Sequence, residues 1–125
     1  MGFAKLAELN HYPGPKHVLA LSDELGLSPL QIAETEALYE KMHQDAVALG
    51  KKLLAAEASL DHDFEDELIS PKTLETALLE IGKIRARLRY VHLEAHLRQK
   101  QLLNAEQISK YDRVRGYHGS AQTQH

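Results

Sequence analysis

A chain of 125 residues, 43% hydrophobic and 26% charged, has the length for one domain with a real core and the balance of an ordinary globular protein. The lack of cysteine excludes disulfides, thiolate zinc fingers and cysteine nucleophiles, and a formal net charge of −3 offers no basic footprint for nucleic acid. Aromatic residues at 6% with no Trp suit slim helix–helix packing rather than a sandwich or barrel, and no run of 18 apolar residues offers a membrane span.

Met1 to Asn10 carries Phe3, Leu6, Ala7 and Leu9, enough for a short amphipathic helix ending near Asn10. His11-Tyr12-Pro13-Gly14-Pro15 stops it, because proline lacks a donor and restricts the residue before it. Lys16 to Leu25 reads as a second short helix, closed by Gly26. Ser28, Pro29 and Gln31 then form a capping box with proline at the first helical position. From Pro29 the helical pattern continues to about Asp66, with a seam of Leu38, Met42, Ala46, Leu49, Leu53, Ala56, Leu60 and Phe64.

The turn falls at Glu67-Leu68-Ile69-Ser70-Pro71, inside the acidic run of Asp61, Asp63, Glu65, Asp66 and Glu67. Acidic side chains suit the start of the next helix better than the end of the last, so the first arm should fray near Asp63 to Asp66. Pro71 to Leu102 returns antiparallel, with Ala77, Ile81, Ile84, Leu88, Val91, Ala95 and Leu102 spaced as in a coiled coil and only Arg98 breaking the row. Leu49, Leu53 and Leu60 are expected to meet Ile81, Ile84 and Leu88. Asn104 and Gln107 open a last helix, Ala105 to Arg115, ended by Gly116.

The expected fold is therefore all-α: a long antiparallel helical hairpin with short helices at its open end. Residues 1–116 form the domain and 117–125 a disordered polar tail. Two bare arms cannot bury both flanks of their stripes, so short helices, a second subunit or a client must cover the rest, and a symmetric homodimer is expected.

Two segments match each other. Leu27-Ser28-Pro29-Leu30-Gln31 and Leu103-Asn104-Ala105-Glu106-Gln107 both read L-[S/N]-x-x-Q, each opening a helix, at opposite ends of a helical hairpin. This resembles the paired LTxxQ signature of the bacterial periplasmic family that contains the Spy and CpxP stress proteins and the CnrX-type heavy-metal sensors. Ser28 and Asn104 stand where the family has Thr, and both are competent caps. The resemblance implies a helical hairpin, usually dimeric, exported to the periplasm by a signal peptide that this sequence does not include. It also implies a non-enzymatic role. Some members are ATP-independent chaperones or stress adaptors, and others bind transition metals and act with a membrane-bound signalling partner.

The residues themselves leave the same alternatives. No nucleophile elbow, P-loop or dinucleotide glycine motif is present, which argues against an enzyme. His92 and His96, one helical turn apart, could hold Zn²⁺, Ni²⁺, Co²⁺ or Cu²⁺ through neutral imidazoles. His17, Glu40 and His43 from the N-terminal half are candidate further ligands. The bland reading is a pair of edge histidines. For the chaperone alternative, Arg85, Arg87 and Arg89 beside the seam are the candidate client-binding residues.

Overall fold

The computed structural model describes residues 3–117, all-helical in architecture, with no strand among the described residues. Three short helices, α1 (Lys5–Leu9), α2 (Pro15–Ala20) and α3 (Ser22–Leu25), precede two long ones, α4 (Pro29–Glu65) and α5 (Pro71–Gln101). A final α6 (Ala105–Arg115) closes the chain. Arg85 of α5 bonds Glu57 of α4 at 2.8 Å, and Gln99 bonds Thr35 at 3.1 Å. Rising numbers on one helix meet falling numbers on the other, so the pair is an antiparallel hairpin. No helix among the described residues is long and apolar enough to cross a membrane.

The elements begin where the caps predict. Ser28, Ser70 and Asn104 each form a reciprocal box with Gln31, Thr73 and Gln107. Each such cap is worth about 1 kcal/mol. Two helices end on left-handed glycines, Gly26 (φ 65°) and Gly116 (φ 85°), whose turns return Leu27 N–H to Ser22 O and Tyr117 N–H to Asp112 O. The hairpin tip uses the same turn without glycine. Glu67 sits there at φ 57°, with Leu68 N–H donating to Asp63 O. That left-handed glutamate costs on the order of 1 kcal/mol.

The two matching segments, expected at opposite ends of the hairpin, meet at its open end. The Gln31 amide donates to Gln107 Oε1 (2.8 Å) and to the Leu102 carbonyl (2.9 Å), and the Gln107 amide donates to Gln31 Oε1 (3.0 Å) and to the Leu25 carbonyl (3.4 Å). Each amide oxygen also accepts the backbone N–H of its own cap residue, Ser28 or Asn104. Both side chains thus have every donor and acceptor engaged. A capping glutamine is an ordinary device; two of them clasped together lock the starts of α4 and α6 to the ends of α3 and α5.

The seam of α5 is buried at Ile81, Ile84, Leu88, Val91 and Ala95. At its upper end the sequence reading needs correction. Where Arg98 breaks the row, the stripe continues through Gln99 and Leu103, at 0% and 9% exposure, while Leu102 is only half-buried. Phe64, placed in the seam of α4, is 52% exposed. Over its 37 residues α4 buries only Thr35 fully; Leu49, Leu53 and Leu60 are half-buried against α5. The expected Lys16 to Leu25 helix is two short helices broken at Leu21. The first helix covers only Lys5–Leu9. The tail expected from residue 117 lies, beyond Tyr117, outside the described residues.

Among the described residues a cluster of buried side chains sits at the open end, where Val18, Leu25, Leu103 and Tyr111 come from α2, α3, the α5–α6 link and α6. There the chain has three layers. Farther out it has two.

Candidate metal-binding site at the open end

A strap made of α1, the Asn10 to Gly14 turn and α2 crosses α4 and α5 at this end. Between strap and hairpin lies a cavity of about 790 Å³. Its walls include His17 from α2, His43 and Met42 from α4, and His92 and His96 from α5. Four of the five residues named as metal ligands from the sequence therefore share one cavity. The fifth, Glu40, is exposed on α4, within 3.5 Å of Gln44, and does not line it.

The two imidazoles of α5 are held in one tautomer. His96 Nδ1 lies 2.7 Å from the Tyr12 carbonyl and His92 Nδ1 lies 3.0 Å from the Leu88 carbonyl. A carbonyl only accepts, so each Nδ1 carries the proton and each neutral ring keeps its lone pair on Nε2. That is the arrangement in which a histidine ligates through Nε2 while a backbone oxygen orients the ring. Phe3 stacks on His92 at 5.0 Å and Tyr39 on His43 at 5.8 Å, fixing the ring planes further. His17 differs, because its Nδ1 accepts from Arg115 at 3.4 Å. Burial, then the Arg115 charge, lowers its pKa from 6.5, so His17 is neutral at pH 7.

Gly14 shapes the floor. A Cβ there would lie 2.7 Å from His96 Cε1 and 2.9 Å from Nε2, so only glycine lets the strap pass this close. Its N–H donates to Glu8 Oε2 at 3.0 Å. Glu8, 8% exposed, is the hub of the strap: Tyr111 Oη donates across both carboxylate oxygens at 2.9 and 2.8 Å, and Arg115 stands 3.8 Å away. Burial, then the Glu8 charge, drives the Tyr111 pKa upward, which keeps this phenol a donor. Beside it His11 pairs with Asp112, whose pKa is raised by burial despite the His11 bond.

The donor set suits a borderline metal: imidazoles with a thioether in a part-enclosed cavity. Yet among the described residues no three His, Cys, Asp or Glu side chains converge closely enough to hold one ion. His92 and His96 with His17 and His43 could supply the ligands only if the strap or the side chains close up. Sequence reading missed Glu8, Tyr111, Asp112 and the role of Gly14, all contacts across more than 80 positions or within an irregular turn. It also assigned Met42 wholly to the seam, whereas it lines the cavity. Family models, curated proteins and solved structures return no match to this chain.

Proposed function

We propose that this is a non-enzymatic protein of the bacterial envelope that binds a transition-metal ion at the open end of its hairpin, in a sensing or resistance role. One observation carries the reading: His92 and His96, both with Nδ1 tied to backbone carbonyls, face the same cavity as His17, His43 and Met42. Zn²⁺, Ni²⁺, Co²⁺ and Cu²⁺ are the ions such donors prefer. An ion there would act as a clamp, drawing the strap onto α5 and stabilising the folded chain by linkage. The periplasmic setting rests on the paired L-[S/N]-x-x-Q segments, and a membrane-bound signalling partner would read the state of the strap.

The test is calorimetric titration of the chain with each ion at about pH 7.5, where neutral imidazole dominates. The parent should bind one equivalent, and His92→Ala and His96→Ala should each weaken binding at least about tenfold, roughly 1.4 kcal/mol. A parent that takes up no ion, with the same melting midpoint in metal and in chelator, would overturn the reading. A second reading, an ATP-independent chaperone, is favoured by the exposed Leu79 and Tyr90 beside the exposed Arg85, Arg87 and Arg89. Suppression of aggregation of an unfolded client, lost on Arg→Glu changes at these positions, would select it.

A further inference from the structure

The cavity under the strap is larger than an ion needs. Its volume of about 790 Å³ falls within the range of pockets that hold small organic molecules, roughly 300–1,000 Å³. Besides the histidines and Met42, three cations line it: Lys5, Lys16 and Arg115. Among the described residues the one acid on its wall is Glu8, whose oxygens already accept from Tyr111 Oη and the Gly14 N–H. The cavity therefore carries a surplus of positive charge before anything enters it.

That surplus is unspent. Lys5 and Lys16 are exposed and pair with no acid among the described residues. Arg115 makes only long contacts, 3.3 Å to Tyr117 Oη, 3.4 Å to His17 Nδ1 and 3.8 Å to Glu8, and its Nε is buried without a partner. Much of the remaining wall is flat or apolar: Phe3 stacked on His92, Tyr39 stacked on His43, and Met42 with Ala46. With each Nδ1 donating to a carbonyl, the Nε2 atoms of His92 and His96 are acceptors with no donor among the described residues.

A ligand that answers all three features carries a negative charge, a flat apolar body and a hydrogen-bond donor. We propose that the metal-free cavity binds a small hydroxylated aromatic acid. Its carboxylate pairs with Lys5, Lys16 and Arg115, its rings lie against Phe3, Tyr39 and Met42, and its hydroxyl donates to Nε2 of His92 or His96. Inorganic phosphate would use the cations and leave the apolar wall wet. A fatty acid would fill the wall and leave both Nε2 atoms unanswered. The inference does not rest on the metal reading, because the same lone pairs serve a hydroxyl when no ion holds them.

The probe is a hydroxynaphthoate with its two polar groups at opposite ends of the ring pair, followed by its own fluorescence with chelator present at about pH 7.5. It should bind as one equivalent, at least about tenfold more tightly than naphthol, which lacks the carboxylate, and than naphthoate, which lacks the hydroxyl. Lys5→Gln and Lys16→Gln should each weaken it about threefold and together about tenfold, with the melting midpoint of the parent. Lys51→Gln, exposed on the distal arm, should change nothing. His92→Ala combined with His96→Ala should erase the advantage over naphthoate. Naphthol binding as tightly as the acid would overturn the proposal, and so would naphthoate doing so. Full affinity in the double lysine variant, or an advantage over naphthoate that survives loss of both histidines, would overturn it too. No metal enters any of these titrations, so a failure here leaves the metal reading standing, and a chain that takes up no ion can still bind the acid.

Discussion

The two ends of this hairpin are built on different principles. At the open end four short segments close over α4 and α5, Val18 and Tyr111 are wholly buried, and the polar groups are clasped in pairs: Gln31 with Gln107, Gln99 with Thr35, Glu8 with Tyr111. Along the distal arm two helices touch on a single line, Leu49, Leu53 and Leu60 are half-buried, and Leu54, Phe64 and Leu68 face water. Local stability follows the number of neighbours, so the arm should open far more readily than the base. The difference also places the candidate site. A ligand cavity needs walls from separate elements, and only the open end supplies them.

The sharpest way to break this contrast is to remove one large side chain from each end. Tyr111→Ala should lower the unfolding free energy by about 4 kcal/mol, through lost packing and the stranded Glu8 carboxylate. Leu60→Ala should cost only about 1 kcal/mol, because little apolar surface returns to water. Urea denaturation of both variants measures the pair, and equal losses would show the arm to be as tightly built as the base. Gln31→Glu comes next, at about 2 kcal/mol. It removes both donors of the Gln31 amide and sets a carboxylate oxygen against the Leu102 carbonyl and Gln107 Oε1. Gln31→Ala losing no stability would mean that the clasp contributes nothing.

The smallest expected effect is a pH dependence confined to the open end. The folded-state pKa of His17 lies below its ordinary 6.5, through burial and then Arg115, with Lys16 and His96 adding to this and Glu8 opposing it. The unfolded chain therefore takes up that proton first. The contribution of His17 is complete above pH 6.5 and is lost as the pH falls from there through the lower folded value. His17→Gln should flatten the melting midpoint against pH in that window. An unchanged slope would assign the effect to another histidine.

The hairpin was legible in the sequence because its signals are local and periodic. Capping residues mark each long helix, and the alternating three–four spacing of Ile81, Ile84, Leu88 and Val91 marks the packed face. The seam failed at its ends for a tertiary reason. Gln99 is polar by type, and while its amide nitrogen donates to Thr35 its buried Oε1 has no partner among the described residues, yet it occupies the core position that pattern reading gives to Leu102. Phe64 is apolar by type but stands 52% exposed. The four histidines of the cavity were found because i, i+4 spacing and hairpin topology place them at one end. Glu8 and Tyr111, 103 positions apart, carry no pairing signal in a single sequence.

The central claim is that metal occupancy at the open end fastens the strap, and amide hydrogen exchange reads it residue by residue. With one equivalent of Zn²⁺ at about pH 7.5, exchange should slow across α1 and α2 and stay unchanged from residue 50 to 65 of α4. The slowing should be lost in His96→Ala, whose strap should exchange as the metal-free parent does. Identical exchange of the strap with Zn²⁺ and with chelator, or a slowing spread evenly over both ends of the hairpin, would contradict the account.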